Sequence, residues 1–255
     1  MNAAPLEICG LAITVPGRTL ITDSSARFAA GEFVALLGGN GAGKSLLLRT
    51  LAGLRAPSRG AVHLGGAPLT TVPRRKIALR LGFLPQDPDA TPQGALAESV
   101  LLGRFAHLGL LEAPGVADDA RVAAALSQVG LESLAARELA TLSGGEQRRA
   151  AIARLLVQAP TIYLLDEPTN HLDPAQQLAI LGHLRDLAAA GALVIASLHD
   201  PNLALRFSNR AWLLAGDGVA TLLPTSQLDP ARLGALYGVP FVEARVGAHR
   251  VVSAA

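Results

Sequence analysis

Cysteine, aromatic residues and lysine are all scarce in this sequence of 255 residues. The single cysteine, Cys9, excludes an internal disulfide and fits a reducing compartment, and we expect it to be a small core residue. Aromatic residues make up 4% of the chain and hydrophobic residues 50%, so Leu, Ala and Val must fill the core. Only Lys44 and Lys76 are lysines among the 22 basic residues, which makes a lysine within a motif informative.

Long apolar runs and an excess of one charge are also missing. The longest uncharged apolar stretch, residues 187–198, is too short to span a bilayer, and no basic-then-apolar signal pattern starts the chain. The formal net charge is +2, and no basic run is interleaved with aromatic residues, so nucleic acid is not an expected partner. We therefore expect a soluble chain, whose role at a membrane would come through a partner.

A glycine-rich turn at residues 38–45 follows an apolar, strand-like run and leads into a helical run. Its sequence, Gly-Gly-Asn-Gly-Ala-Gly-Lys-Ser, has the spacing of a phosphate-binding loop. Glycines without Cβ atoms let backbone N–H groups contact phosphate oxygens. Lys44 adds a positive charge at the start of the helix, and the Ser45 hydroxyl can hold Mg²⁺. The turn therefore predicts a nucleoside triphosphate site.

Two acidic residues, Asp166 and Glu167, come directly after the apolar run 162–165. Such a run predicts a strand that is covered on both faces of a parallel sheet, and ligands bind at the carboxyl ends of such strands. Asp166 is therefore placed to hold Mg²⁺ beside Ser45, and Glu167 to accept a proton from an attacking water. The alternative is two solvated acids that end a strand, and the phosphate-binding loop in the same chain favours the magnesium and proton-acceptor roles.

A second glycine-rich helix start lies at residues 142–147, Leu-Ser-Gly-Gly-Glu-Gln. Ser143 and Glu146 have the spacing of a capping box at the start of a long helix. Two glycines in the first helical turn cost about 1 kcal/mol each relative to alanine. Gly144 and Gly145 are therefore better explained if a phosphate held by another molecule approaches this backbone.

With these motifs in this order, the chain resembles the ATP-binding subunits of ABC transporters over nearly its whole length. In the family's terms, residues 38–45 are Walker A, 142–147 the signature motif, 162–166 Walker B and 170–173 the D-loop. The resemblance further identifies Gln86 as the Q-loop glutamine and His199 as the switch histidine. It implies a head-to-tail dimer that holds ATP between Walker A of one protomer and residues 143–145 of the other.

The resemblance also implies the site residues. Glu167 is the expected catalytic carboxylate, assisted by Gln86 and His199. Mg²⁺ is expected at Ser45, Gln86 and Asp166. The residues expected to contact ATP are Val15, Gly38, Gly39, Asn40, Gly41, Ala42, Gly43, Lys44, Ser45 and Leu46, with Ser143, Gly144 and Gly145 of the second copy.

Two positions depart from the family pattern. Val15 occupies the place where an aromatic residue usually stacks on adenine, so apolar contact with the base remains but stacking is lost. Gly39 stands where proline is frequent, which adds freedom to the loop without removing a phosphate contact.

The resemblance implies an α/β fold, with a P-loop NTPase (RecA-like) core, an antiparallel β subdomain and an inserted α-helical subdomain. The change in composition after Gln86, from strand-like to Ala/Leu/Arg-rich with helical spacing, supports this division. We expect a single ABC ATPase domain over residues 1–255, with its core at 1–86 and 159–255 and its helical subdomain at 87–158.

The function implied by the resemblance is ATP hydrolysis that drives import of an iron chelate, haem or cobalamin. Residues 100–107, 169–173 and 236–240 are similar to importers of such cargo. The implied partners are a second copy, integral membrane permease subunits and, indirectly, a substrate-binding protein, at the cytoplasmic face of the inner membrane. The alternatives are an exporter subunit, a soluble ABC ATPase that acts on ribosomes or DNA, and a P-loop kinase, which would leave the second glycine-rich helix start unused.

Overall fold

The computed structural model describes residues 6–86, 94–109 and 112–255. Its strands are β1 (Leu6–Val15), β2 (Arg18–Phe28), β3 (Phe33–Leu37), β4 (Arg59–Leu64), β5 (Ala67–Pro68), β6 (Leu81–Leu84), β7 (Ile162–Leu165), β8 (Leu193–Ser197), β9 (Arg210–Leu214), β10 (Ala220–Pro224), β11 (Phe241–Val246) and β12 (His249–Ala254). Its α-helices are α1 (Lys44–Leu51), α2 (Arg74–Ala78), α3 (Leu96–Leu101), α4 (Val116–Gln128), α5 (Gly144–Gln158), α6 (Pro174–Ala189), α7 (Pro201–Phe207) and α8 (Pro230–Tyr237). Short 3₁₀ helices cover Leu69–Thr71, Leu102–Arg104, Glu132–Leu134, Leu139–Thr141 and Thr225–Gln227.

A six-stranded sheet in the order β10-β9-β3-β8-β7-β6 forms the centre of the molecule. All its neighbouring strands run parallel except the edge pair of β10 and β9. Alternate residues of β3 enter two different apolar clusters: Phe33 and Leu37 pack in one, and Val34 and Leu36 in the other. Both faces of this sheet are thus covered, which explains why its strands read as uninterrupted apolar runs. The predicted α/β core is confirmed.

The predicted antiparallel β subdomain is also present, as a four-stranded sheet in the order β2-β1-β4-β5. The expectation for Cys9 was wrong, because its side chain is exposed. Ile8, its neighbour in β1, is buried, and successive side chains of a strand point to opposite faces. The alternation therefore turns Cys9 away from the apolar cluster that receives Ile8.

Helices α3, α4 and α5 all lie between β6 and β7 along the chain, where the helical segment was predicted. Leu96, Val122 and Ile152, one from each helix, share an apolar cluster with β3 and β7. The described parts of the helical segment thus continue the apolar core on one face of the central sheet. The division into two subdomains stays a prediction.

In the carboxy-terminal part, the Gly-Asp-Gly sequence at 216–218 predicts a hairpin turn, and the chain after Pro224 predicts a short helix and one weak last strand. The hairpin is formed by β9 and β10, and the helix is α8. In place of one last strand, the structure has the separate hairpin of β11 and β12. Asn202 ties this hairpin to α7, since its side chain bonds the backbone of Val252 at 3.0 and 2.8 Å.

Candidate functional site

A cleft of about 480 Å³ opens at the carboxyl edge of the central sheet. Strand β8 lies between β3 and β7 in that sheet, so the turn after β3 and the acidic residues after β7 reach the same edge. The residues that line the cleft are Leu20, Asn40, Gly41, Ala42, Gly43, Lys44, Ser45, Leu46, Gln86, Glu167 and His199. Its volume lies in the range of small-ligand sites.

The glycines of residues 38–45 are required for different structural reasons. A Cβ atom on Gly38 would lie 2.5 Å from the carbonyl oxygen of Leu214 in the neighbouring strand, so only glycine fits there. Gly41 and Gly43 have φ angles of 74° and 100°, which place them in the left-handed region that side chains disfavour. At Gly39 a Cβ atom would meet no neighbour, and the φ angle is not positive. The turn therefore needs three of its four glycines for its own shape.

Lys44 begins α1, and its side chain is held by the loop itself. Its Nζ donates to the carbonyl oxygens of Gly38 at 2.7 Å and Gly39 at 3.2 Å, with 7% of the residue exposed. Burial lowers the pKa of Lys44, and the carboxylates of Glu167 and Asp166 oppose that effect. The ammonium is thus held at the positive end of a helix, where an anionic ligand would be stabilised.

Asp166 lies behind the wall of the cleft, with 1% of the residue exposed. Its Oδ1 accepts a hydrogen bond from Ser197 Oγ at 2.7 Å, and the same Oγ accepts from the backbone N–H of Glu167 at 2.8 Å. Ser197 is completely buried at the end of β8. One hydroxyl therefore joins the carboxylate of Asp166 to the backbone of Glu167.

The carboxylate of Glu167 is contacted by three side chains. Its Oε2 accepts from Gln86 Nε2 at 3.0 Å and also from Asn170 Nδ2, and its Oε1 lies 2.5 Å from Nε2 of His199. Its φ of 50° is uncommon for a residue with a side chain. The strained backbone and the three side-chain partners hold the carboxylate in one position beside Lys44.

Other predicted site residues are not brought to this cleft. Val15 is in β1 and packs on the apolar cluster that contains Val34 and Leu36. It does not line the cleft, where Leu20 and Leu46 are the large aliphatic residues. Ser143, Gly144 and Gly145 are at the start of α5 and are also not among the lining residues. A single chain therefore places its two glycine-rich helix starts apart.

The predicted capping box is confirmed at the start of α5. Ser143 caps the helix and accepts from the N–H of Glu146, while the Glu146 carboxylate accepts from the N–H and the hydroxyl of Ser143, both at 2.7 Å. These two donors lower the pKa of Glu146. Glycine is needed at position 145 for a reason that the sequence did not suggest, since a Cβ there would lie 2.8 Å from the carbonyl oxygen of His171. Gly144 has no such close neighbour, so a Cβ atom would fit at that position.

The residues present also fit a magnesium ion bound with a nucleotide. Among the described residues no cluster of three His, Cys, Asp or Glu side chains could hold a metal ion by itself. Mg²⁺ bound with a triphosphate takes most of its ligands from phosphate and water, and needs only one or two oxygens from the protein. The hydroxyl of Ser45, in the cleft, and the carboxylate of Asp166, just behind it, are oxygens of that kind.

Two functional candidates were missed in the sequence. Ser197 ends an apolar strand and resembles an ordinary core serine. Arg148, in the second turn of α5, is buried although it carries a charge, and it bonds four backbone carbonyl groups around Glu167. No local pattern marks either residue, because their partners come from distant parts of the chain.

The family model described as ABC transporter matches residues 21–170. The hemin import ATP-binding protein HmuV of Rhodopseudomonas palustris (strain HaA2) is 40% identical over 232 residues, which cover 88% of this chain and 86% of the relative. HmuV of Bordetella pertussis is 39% identical over 254 residues, which cover 96% and 95%.

Solved structures show the same likeness. A chain from the inward-facing conformation of an ABC transporter of the metal-chelate type superposes with a TM-score of 0.82 at 28% identity, covering 99% of this chain and 96% of that one. A dimeric ATP-binding cassette with bound ADP and phosphate gives a TM-score of 0.77 at 27% identity, covering 86% and 98%. None of the helices in the described part of the chain has the length and apolar character needed to cross a bilayer.

Proposed function

The chain belongs to the ABC transporter family, and from this membership we propose that it is the ATP-hydrolysing subunit of an importer for haem or another iron chelate. The observation that carries the proposal is the arrangement around Glu167. A buried carboxylate, held by Gln86 and His199, forms one wall of a cleft whose other wall is the phosphate-binding loop. That arrangement suits attack of water on a terminal phosphate.

Each residue at the cleft has a defined part in this chemistry. The N–H groups of residues 40–46 and the ammonium of Lys44 bind the phosphate oxygens. Glu167 accepts the proton of the attacking water, which Gln86 and His199 orient. Mg²⁺, when bound, neutralises charge on the β- and γ-phosphates, and we propose that Ser45 and Asp166, with Gln86, hold it. Leu20, in the lining of the cleft, offers apolar contact to the base.

A second copy of the chain completes the site in this proposal. Ser143 and Gly144 are exposed at the start of a 15-residue helix, and they lie outside their own cleft. The start of a long helix stabilises anions, so these residues would contact the nucleotide held by a head-to-tail partner. The dimeric cassette with ADP and phosphate, at 27% identity, supports this assembly.

The proposed permease contact is a groove that shares no lining residue with the cleft. It has a volume of about 290 Å³, and its lining includes Leu84 and Pro85, just before Gln86, and Leu102 and Gly103 of a 3₁₀ helix. Phe105, on its rim, is 62% exposed, and large exposed apolar groups mark interaction sites. We propose that the permease contact comprises residues 84–94 and the helix after them, of which residues 87–93 lie outside the described part of the chain.

Haem is the proposed cargo because the relatives cited are hemin import proteins that align along most of their length. The permease would place the chain at the cytoplasmic face of the membrane, and a substrate-binding protein would deliver the cargo on the other side. The ATPase subunit does not contact the cargo, so cargo identity depends on the likeness alone.

Uptake by the native membrane complex tests the proposal. The complex would be isolated with the chain in place and reconstituted in vesicles, with ATP on the side of the ATPase subunit. We expect ATP-dependent accumulation of haem or a labelled iron chelate, and none with the Glu167→Gln chain. ATP-driven movement in the opposite direction would indicate an exporter, and stable association with ribosomes instead of a permease would indicate a soluble ABC ATPase.

A further inference from the structure

Arg148 connects the start of α5 with both segments that hold the carboxylate of Glu167. Its Nη1 donates to the carbonyl oxygens of Pro85 at 2.6 Å and Gln86 at 3.0 Å. Its Nη2 donates to the carbonyl oxygens of Glu167 at 2.7 Å and Asp166. The residue is 6% exposed. One guanidinium thus joins the segment before the cleft to the segment that leaves β7.

The acceptors are the backbone groups of residues whose side chains meet in the cleft. Gln86 Nε2 donates to Glu167 Oε2 at 3.0 Å, so the spacing between the two segments decides whether this contact forms. Arg148 sets that spacing, because the two terminal nitrogens of a guanidinium lie at a fixed separation in one plane. A movement of α5 would change the backbone on both sides of the carboxylate.

A second contact connects the same end of α5 to Glu167. The carbonyl oxygen of His171 comes so close to Gly145 that a Cβ there would lie at 2.8 Å. His171 has a φ of 62°, and the preceding residue, Asn170, donates from its side chain to Glu167 Oε2. Two sets of contacts within one chain therefore connect the exposed glycine-rich turn to the buried carboxylate. One is made by Arg148, and the other runs through Gly145, His171 and Asn170.

We propose that Arg148 is a positioning residue, which transmits the engagement of the Ser143–Gly144 turn to Glu167 and Gln86 of the same chain. The inference depends on the proposed dimer, in which a nucleotide held by the partner contacts that turn. Engagement at one site would then adjust the carboxylate of the other site, since each chain contributes its turn to one and its Glu167 to the other. The part proposed for Arg148 depends on its four backbone acceptors around the cleft.

Arg149 provides a matched control next to Arg148. It also contacts two backbone carbonyl groups, donating from Nη1 to Val129 at 2.8 Å and Gly130 at 3.1 Å. These acceptors lie after α4 rather than at the cleft. Arg149 therefore shares the residue type, the helix and the kind of contact, but not the connection to Glu167.

The test compares Arg148→Lys and Arg148→Gln with Arg149→Lys. The lysine variant keeps the charge but concentrates its donors at one atom, and the amide of glutamine reaches one pair of carbonyl groups at most. Turnover and KM for ATP would be measured in the permease complex. ATP-dependent dimerisation and the melting temperature would be measured with purified chains that also carry Glu167→Gln.

For both Arg148 variants we expect kcat to fall about 10-fold or more, because small misplacement of a catalytic group is costly. We expect their KM for ATP to stay within about twofold of that of the unmodified chain, and ATP-dependent dimerisation to be retained. The kcat of Arg149→Lys should be close to that of the unmodified chain. An unchanged kcat in the Arg148 variants would overturn this inference but not the proposed function. The same holds if dimerisation, or the kcat of Arg149→Lys, falls as much as the kcat of the Arg148 variants. An unmodified complex that does not hydrolyse ATP would overturn the proposed function and the inference together.

Discussion

His199 Nε2 lies 2.5 Å from Glu167 Oε1, and the two side chains differ in exposure, with 49% of the histidine exposed and 8% of the glutamate. The carboxylate therefore sits at the bottom of the cleft, and the imidazole covers it from the solvent side. A proton acceptor in such a place can be kept in one orientation while a half-exposed partner contacts the ligand. This pair leads to the first prediction.

Replacing Glu167 with glutamine should lower ATP turnover about 100-fold or more, because an amide cannot accept the proton of the attacking water. Nucleotide affinity should stay within a few fold, since Lys44 and the loop are unchanged. Turnover and binding of a fluorescent ATP analogue would be measured for each chain. Glu243→Gln, which removes an exposed ion pair with Arg250 outside the cleft, serves as the control, and normal turnover by Glu167→Gln would remove the proposed role.

The two lysines of the chain offer a direct comparison. Lys44→Ala should weaken ATP binding about 10- to 100-fold, the range expected for loss of a hydrogen bond to a charged group. Lys76→Ala should leave affinity unchanged, because Lys76 is exposed in α2 and does not line the cleft. Equilibrium binding by calorimetry would measure both. Equal affinities for the two variants would contradict the assignment of the cleft.

Ser197→Ala should lower both stability and turnover. The change removes a buried hydroxyl that bonds Asp166 and the N–H of Glu167, and leaving such groups unsatisfied costs about 1–3 kcal/mol. Chemical unfolding and ATP turnover would be followed together. Ser253→Ala, at an exposed serine near the carboxy terminus, should change neither, and a Ser197→Ala chain with full turnover would show that Asp166 does not need this partner.

The two glycines of the signature turn should behave differently. Gly145→Ala should lower the melting temperature, since its Cβ would clash with a backbone oxygen of His171 and the backbone has to shift. Gly144→Ala should fold normally, because its nearest neighbour is the His171 ring at an ordinary 3.9 Å. In the Glu167→Gln chain, the Gly144→Ala change should reduce ATP-dependent dimerisation. Equal melting temperatures would show that the approach to His171 is not tight.

The two tyrosines should ionise at a higher pH in the folded chain than in the unfolded chain. Burial raises the pKa of Tyr163 and of Tyr237 to about 12, and the Asp200 carboxylate adds to the effect at Tyr237. At pH 11 about one-tenth of each phenol should be ionised in the folded protein, against about nine-tenths in the unfolded chain. Absorbance at the phenolate band would measure this difference.

The sign of the linked stability change follows from these pKa values. The unfolded chain loses its phenolic protons near pH 10 and the folded chain near pH 12, so stability is unaffected below pH 10 and falls as the pH rises through that window. Replacing both tyrosines with phenylalanine should remove this part of the alkaline loss. Ionisation near pH 10 in the native state would show that the phenols are solvated.

Much of the core and of the cleft could be predicted from the sequence because the relevant signals are local. The start of α6 is one such signal, because Asp173 followed by Pro174 in the first turn and Gln176 at the third position is the pattern of a capped helix start. The Asp173 carboxylate accepts from the N–H of Gln176 at 2.8 Å. The buried strands read as apolar runs since both faces of the sheet are covered. The phosphate-binding loop is likewise a short segment whose shape depends on its own glycines.

The errors and omissions have the opposite origin. Whether Cys9 is buried depends on the face to which β1 turns it, and a lone residue in an apolar strand does not reveal that. Gly145 was attributed to a ligand alone, although a backbone oxygen of His171 also requires it. The second strand of the last hairpin was missed, because few residues of the hairpin are buried and no continuous apolar run marks it.

The sequence by itself determined that the chain has two glycine-rich helix starts, a lysine at the first of them and a pair of acids after a buried strand, since these depend on neighbours a few positions away. Only the tertiary structure decided which residues hold those acids. Ser197, Arg148 and Asn170 reach Glu167 or Asp166 from other elements, and the order of strands in the central sheet brings them together. Hydrogen bonds act over about 3 Å in space whatever the separation along the chain, so local patterns do not reveal them.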